Sequence, residues 1–453
     1  MVITTSQLRV PVGPKGHWLA GNLPDFRKSR LAFLGDCARE FGDMVKIRLA
    51  HRRVYLANHP ALIEEVLVSQ SKHFIKHFAL RLNPIVLGKG LLTSEGDFWL
   101  RQRRLIQPMF LKNRIVGHAG AMVAATQRML DEWRPGERRD IHAEMMRVTL
   151  AIAAKTLFNA EVGGDAQAIA DAMEVMQQNF VQRFNSLLPL PMWIPTPANL
   201  RAKHAVRQLD DVVFRIIRQR RQENVDHGDL LSLLLRARDE DDGSTMTDQQ
   251  LRDEAMTIFL AGHETTALVL SWGWYLLAQH PEVERKLCAE LDAVLGGRLP
   301  TADDWPKLKL TEWIALETMR LYSPAYVVGR EAIVDCDIGG YHVPRGTTIL
   351  MSPWVVHRDP RFWDEPEKFN PERWGDEKIK TLPKFAYFPF GGGPRSCIGN
   401  TFAMMELVLI LATIAQKFCF RLQPGTTVTP MASFTLRPAE GVPGVIETRL
   451  PIV

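Results

Sequence analysis

Apolar residues recur at intervals of three and four through most of the chain, the signature of helices with one buried face. From Ile398 to Phe418 the residues Phe402, Met405, Leu409 and Ala412 keep this spacing, which predicts a buried helix. Thr247 and Gln250 stand at the spacing of a capping box, and an apolar run then continues to Gln279 and halts before Pro281. That run predicts a helix of about thirty residues, long enough at ~1.5 Å per residue to cross a whole domain. Its middle breaks the pattern: Ala261, Gly262, His263, Glu264, Thr265 and Thr266 bring a glycine, an acid and two hydroxyls into apolar surroundings. Between Ile141 and Arg238 the pattern is again helical, except at Leu187–Pro197, where four prolines forbid a helix. This apolar stretch predicts a loop over a pocket entrance, with contact to a membrane surface as the second reading.

Alternation with period two is confined to short pieces. Val45, Ile47 and Leu49, then a basic turn at His51–Arg53, then Val54 and Leu56 predict a hairpin. Gly329–Pro353 is strand-rich, with turns at Gly339–Gly340 and Pro344–Gly346. Phe78–Ser94 is apolar, punctuated by glycine and without a clean period, which predicts a mobile loop over a pocket. The expected fold is mainly α with a small β region at residues 42–58 and 329–353, in one domain spanning residues 1–453.

Net charge of +5 comes without a dense Lys/Arg run, so nucleic acid is not implied. The five cysteines, at 37, 288, 336, 397 and 419, are odd in number and scattered, which argues against a disulfide framework and for a reducing compartment. Met1–Arg30 holds Pro11, Pro14, Gly16 and charges instead of an apolar run, so the expectation is a cytoplasmic protein with no transmembrane anchor. It is also expected to be monomeric.

One cysteine differs from the others in its setting. Cys397 lies in Phe390–Gly399, FGGGPRSCIG, just where the helical pattern begins. Free N–H groups and the positive dipole end at a helix start favour a thiolate there. Gly391, Gly392 and Gly393 let the backbone approach a flat ligand closely. A small buried core residue is the plain alternative. No second cysteine or histidine stands at zinc-ligand spacing, and Gly399 is followed by Asn400 and Thr401 instead of the lysine and hydroxyl of a phosphate loop. Similarly, His263 and Glu264 begin like HExxH, but Ala267 fills the position of the second histidine. Thr265 can either serve chemistry or simply bond the carbonyl of Ala261 and bend the helix.

The set Phe390, Gly393, Arg395, Cys397, Gly399 and Ala403 resembles the haem-binding signature of the cytochrome P450 family, with every position filled. Four further elements resemble that family in its order: Trp99 and Arg103 its W-x-x-x-R, Gly262 to Thr266 its G-x-E-T-T groove, Glu317 and Arg320 its E-x-x-R, and Pro371 to Trp374 its P-E-R-W. The resemblance implies the cytochrome P450 fold and haem b, with Cys397 as axial thiolate, a ligation that favours O–O cleavage. It implies that Arg395, Trp99 and Arg103 meet haem propionates, that Phe390 packs on the thiolate side, and that Gly399 and Gly262 lie close to the cofactor. Glu264 and Thr265 are implied in proton delivery, and Glu317, Arg320 and Arg373 in a buried network that fixes the Cys397 loop.

The function so implied is a monooxygenase that inserts one oxygen atom from O2 into a lipophilic substrate, by hydroxylation or epoxidation. No G-x-G-x-x-G follows a strand and no flavin-sized segment is present, so NAD(P)H electrons are expected from a separate ferredoxin or flavodoxin-type donor and its reductase. Its docking face is expected at Arg101, Arg104, Lys112, Arg114, Lys378, Lys380 and Lys384. The rivals are a peroxide-driven peroxygenase and a haem-binding sensor or carrier without turnover. Phe78, Leu80, Ile85, Phe259, Leu260 and Phe434 are the candidate pocket residues, suiting a fatty acid, terpenoid or steroid.

Overall fold

The structure, a computed structural model, describes residues 9–81, 87–159, 172, 175, 179, 191–223, 225–239 and 241–449. Its contacts group into two compact units, Met1–Leu82 with Met319–Cys397 and Asn83–Thr318 with Ile398–Val453.

The first unit contains the expected β region. Met44–Leu49 and Arg52–Ala57 form the hairpin, with Met44 opposite Ala57 and Leu49 opposite Arg52. The turn falls at Ala50–His51, one residue earlier than the basic triplet suggests, with Ala50 at positive φ. Three more strands complete a five-stranded sheet in the spatial order Met44–Leu49, Arg52–Ala57, Thr348–Met351, Val328–Ala332, Phe74–Lys76. A separate hairpin pairs Cys336–Ile338 with Tyr341–Val343 across Gly339 and Gly340, both at positive φ, the type of turn that matches strand twist. Pro60 opens the short helix Pro60–Glu64, continued by the π turn Glu65–Ser69. Tyr55, Ile63, Leu67, Ile349, Met351, Phe385 and Phe388 pack as one buried cluster beside this sheet.

The second unit is built on the long helix, Asp248–Gln279. Both bonds of its capping box form, Gln250 N–H to Thr247 Oγ1 at 3.2 Å and Thr247 N–H to Gln250 Oε1 at 2.8 Å. It packs against helices Ile141–Phe158, Pro197–Glu223 and Asn400–Ala415, and its buried side chains cover most of its circumference. The last of these is buried continuously from Met404 to Ala415. Its first helical residue is Asn400, two later than the pattern predicts, because Gly393–Ser396 closes a separate tight turn first. Among the described residues no helix is long and apolar enough to cross a membrane.

Candidate functional site: a pinned cysteine loop and an interrupted helix

Cys397, Phe390 and Arg395 belong to the first unit; Trp99, Arg103, Gly262, Glu264, Thr265 and Gly399 belong to the second.

In the first unit the cysteine loop is pinned through its backbone. Cys397 N–H donates to Phe390 O at 2.9 Å, Gly391 N–H to Phe388 O at 2.9 Å, and Ser396 N–H to Gly393 O at 3.0 Å. Gly391 and Gly393 take positive φ, and a Cβ at Gly393 would lie 1.7 Å from the carbonyl oxygen of Leu67 in the π turn. Gly392 is equally constrained, since its Cβ would meet the Phe385 ring at 2.3 Å. The loop is therefore fixed by contacts that only glycine permits, and it leaves Cys397 exposed and in no disulfide. Arg395 closes the tight turn Gly393–Arg395, half-exposed.

The anchor of this loop is partly one the sequence reading missed. His357 is fully buried, and its Nε2 accepts the N–H of Phe388 at 2.9 Å while its ring lies against Tyr387 and Phe388. Its backbone carbonyl in turn accepts Arg320 Nη1 at 2.9 Å. Burial and the guanidiniums of Arg320 and Arg358 hold the imidazole well below the usual histidine range, so it stays neutral and able to accept. Arg320 also donates to the carbonyls of Pro366 at 2.6 Å and Lys368 at 3.0 Å, and Arg373 donates to Asp364 O at 2.9 Å and to Lys368 O at 3.3 Å. Both guanidiniums of the expected network thus work on backbone carbonyls; Arg320 is fully buried and Arg373 half-buried in this unit, and Glu317 is fully buried in the other.

In the second unit the interrupted turn of the long helix presents Ala261 exposed and Gly262 and Thr265 half-exposed, beside buried His263 and Thr266. A Cβ at Gly262 would meet nothing within 4 Å among the described residues. Thr265 Oγ1 donates to Ala261 O at 2.5 Å. This is the helix-bending bond, and it directs the hydroxyl proton inward so that the oxygen lone pairs face the open side. Glu264 points the other way: Thr435 Oγ1 donates to its Oε1 at 2.5 Å and Arg437 Nη2 lies 3.2 Å from the same oxygen. His263 is buried, bonded through Nε2 to Met146 O at 3.0 Å, and desolvation pushes it down to about 4. Among the described residues no cluster of three or more His, Cys, Asp and Glu side chains is placed to hold a metal ion.

Trp99 and Arg103 share the helix Gly96–Ile106; Trp99 packs half-buried on the unit's apolar core and Arg103 Nε reaches Gln107 Oε1 at 3.4 Å. Gly399 caps the helix Asn400–Ala415.

Each unit carries a part whose chemistry suits a flat macrocycle on a thiolate: in the first an exposed cysteine on a glycine-cradled loop, in the second a helix turn left bare by Gly262. The family model for cytochrome P450 matches residues 11–442. The chain belongs to the cytochrome P450 family. This P450 is 36% identical over 434 residues to cyclooctatin synthase of Streptomyces melanosporofaciens, covering 95% of this chain and 94% of that one. It is 38% identical over 390 residues to cyclooctat-9-en-7-ol 5-monooxygenase of the same organism, with 85% and 84% covered. Pentalenene oxygenase of Streptomyces avermitilis is 36% identical over 400 residues, with 87% and 88% covered. Among solved structures the haem domain of cytochrome P450DA superposes with a TM-score of 0.89 at 28% identity, covering 98% of both chains. This P450 is accordingly a haem-dependent monooxygenase that acts with redox partners, O2 and a lipophilic substrate.

The residues expected at the donor's docking face and at the pocket divide by their surroundings in this P450. Four of the seven cations assigned to the donor's docking face are paired: Arg101 with Asp239 and Arg104 with Asp241 in one unit, Lys378 with Asp364 and Lys380 with Glu377 in the other. Asp239 and Asp241, just ahead of the long helix, supply the first two partners. The pocket candidates also divide. Phe259 is a core residue against Phe158 and His263, the Phe78 ring carries the Arg52 guanidinium 3.9 Å from its centroid, Phe434 is exposed, and Ile85 lies outside the described residues. The loop expected to be mobile is held where it is described, with Lys89 N–H on Asp253 Oδ2 at 2.8 Å and Leu91 N–H on Glu254 Oε2 at 3.0 Å. Of Leu187–Pro197, residues 187–190 also lie outside the described residues, while 191–197 are described and end where Pro197 opens the helix Pro197–Glu223.

Proposed function

We propose that Cys397 holds haem b as its axial thiolate, with Arg395, Trp99 and Arg103 at the propionates, Phe390 on the thiolate side, and Gly399 and Gly262 closing on the macrocycle. The observation that carries this is the pinned loop, in which Cys397 N–H to Phe390 O and the glycine contacts fix one exposed sulfur. The remaining cysteines are poor thiolates by comparison. Burial and neighbouring carboxylates push Cys37 up to about 12 and Cys336 up to about 11, and burial raises Cys288 and Cys419 as well.

Haem, when bound, supplies the activation of O2 and the transfer of one oxygen atom to carbon. The chain's own part is to hold protons and exclude water. Because Thr265 spends its proton on Ala261 O, its oxygen accepts a hydrogen bond from a water at the open helix face and so keeps a proton donor in place. Glu264, braced by Arg437 and Thr435, forms the next group along a route for protons from solvent. The electron donor is a separate ferredoxin or flavodoxin-type protein, and the P450 acts as a cytoplasmic monomer made of one haem domain. Two relatives carry the names of cyclic alkenes or their oxidation, so a cyclic, alkene-bearing terpenoid is the substrate class we favour. The test is the reduced, carbon monoxide-bound spectrum. The parent shows the red-shifted Soret band of a thiolate complex, Cys397→His loses it, and single replacements of Cys37, Cys288, Cys336 and Cys419 keep it; a band that persists in Cys397→His overturns the assignment.

A further inference from the structure

Residues 9–21 run along the free edge of the five-stranded sheet, whose outermost strand is Met44–Leu49. Lys46 N–H donates to Val12 O at 2.8 Å, Asn22 N–H to Arg48 O at 2.6 Å and Ala50 N–H to Ala20 O at 2.9 Å, so the edge is covered. Beyond the edge the segment makes a tight turn, His17 and Gly21 exchanging backbone bonds at 2.8 Å. The Arg48 guanidinium fixes that turn by donating to the carbonyls of His17, Trp18 and Leu19. What this rigid tip presents is apolar: Trp18 is 80% exposed and Leu19 64%, and on the same segment Val10 and Val12 are 63% and 65% exposed on either side of buried Pro11. Along this segment and the hairpin it covers, the charge has one sign. Residues 9–21 and 44–57 contain Arg9, Lys15, Lys46, Arg48, Arg52 and Arg53 and no aspartate or glutamate.

A fixed indole and leucine held in water gain nothing from the fold, whereas at a bilayer surface an indole sits at headgroup level and each nearby cation is drawn to anionic lipid. We propose that this face, the Trp18–Leu19 tip with the cationic hairpin behind it, docks the P450 peripherally on anionic phospholipid bilayers. The occupant is lipid because the tip joins exposed apolar side chains to unbroken positive charge, a pairing that suits the acyl–headgroup boundary. Anchoring there would bring the enzyme to the phase in which lipophilic molecules dissolve.

The experiment is co-flotation of the full-length holoprotein with phosphatidylglycerol/phosphatidylcholine vesicles and with phosphatidylcholine vesicles alone, at low and high salt. The expected result is binding to the anionic vesicles only, weakened by salt. Trp18→Ser/Leu19→Ser should lower the partition coefficient about tenfold, and Arg52→Glu/Arg53→Glu at least as much, with the carbon monoxide spectrum unchanged in both. Trp18→Phe should retain most of the binding. No flotation of the parent on anionic vesicles at low salt would overturn the proposal. So would binding abolished by the charge reversal but untouched by Trp18→Ser/Leu19→Ser, the pattern of an electrostatic contact such as an acidic protein makes.

Discussion

Glu406 sits in the buried helix Asn400–Ala415, only 2% exposed, with no salt-bridge partner among the described residues. Desolvation pushes its carboxyl up to about 8, against a small opposing pull from the Thr266 hydroxyl. The folded protein therefore keeps this proton at neutral pH, while the unfolded chain, with an ordinary value of 4.5, releases it. Below about pH 4.5 both states are protonated and the group is neutral toward stability. As pH rises the unfolded state gains by ionising and the folded state does not, at ~1.4 kcal/mol per pH unit, so the penalty reaches about 3 kcal/mol at pH 7 and levels off above pH 8. Glu406→Gln keeps the shape and the neutral charge and removes the penalty. Urea unfolding of parent and variant, followed by tryptophan fluorescence at about pH 5, 6, 7 and 8, should show near-equal midpoints at the acid end and a variant progressively more stable toward pH 8. The parent should also show a carboxylic-acid carbonyl stretch at neutral pH that the variant lacks. A stability difference that does not change between pH 5 and pH 8 would refute the reasoning, because it would mean that Glu406 has the same proton affinity folded and unfolded.

Three other outcomes follow from the site. Thr265→Ala should still take up haem and bind substrate yet yield less product per NAD(P)H consumed, the remainder appearing as hydrogen peroxide; product yield equal to the parent's would reduce Thr265 to a helix-bending residue. His357→Leu strands the buried Phe388 N–H and should lower stability by about 1–3 kcal/mol and shrink the thiolate Soret band, while His357→Gln, which keeps an acceptor, should lose less of both. Lys112→Glu/Arg114→Glu should slow reduction by an acidic donor about tenfold at low salt and little at high salt; reduction kinetics unmoved by either salt or substitution would remove this face as the docking site.

What could be read from the chain alone was what is local in it. The capping box at Thr247, the Gly339–Gly340 turn and the glycine cradle ahead of Cys397 each depend on residues within a few positions of one another, and each forms. The misses are all long-range. Thr435 reaches Glu264 across 171 positions and His357 reaches Phe388 across 31, and no periodicity encodes such pairings. The pairing of the docking cations was hidden for the same reason: counting Arg101 and Arg104 gives charge, but only the fold brings Asp239 and Asp241 onto them. Glu406 escaped because it is the one carboxylate in a run of apolar residues, where helical spacing explains the neighbours and is silent about the exception.

The loop at residues 87–94 is attached to the long helix in a way that bears on which of its positions can change in sequence. Asp253 and Glu254 grip it by the N–H groups of Lys89 and Leu91, and every amino acid but proline offers that same handle. Only Gly88 and Gly90 are bound by shape, since a Cβ there would strike Asp253 at 2.1 Å and Thr257 Oγ1 at 2.0 Å. Thr93 Oγ1 adds a tie within the loop, donating to Gly88 O at 2.8 Å and Gly90 O at 3.2 Å, so the side chain at 89 is the position that can be rewritten while the attachment persists and the enzyme stays folded.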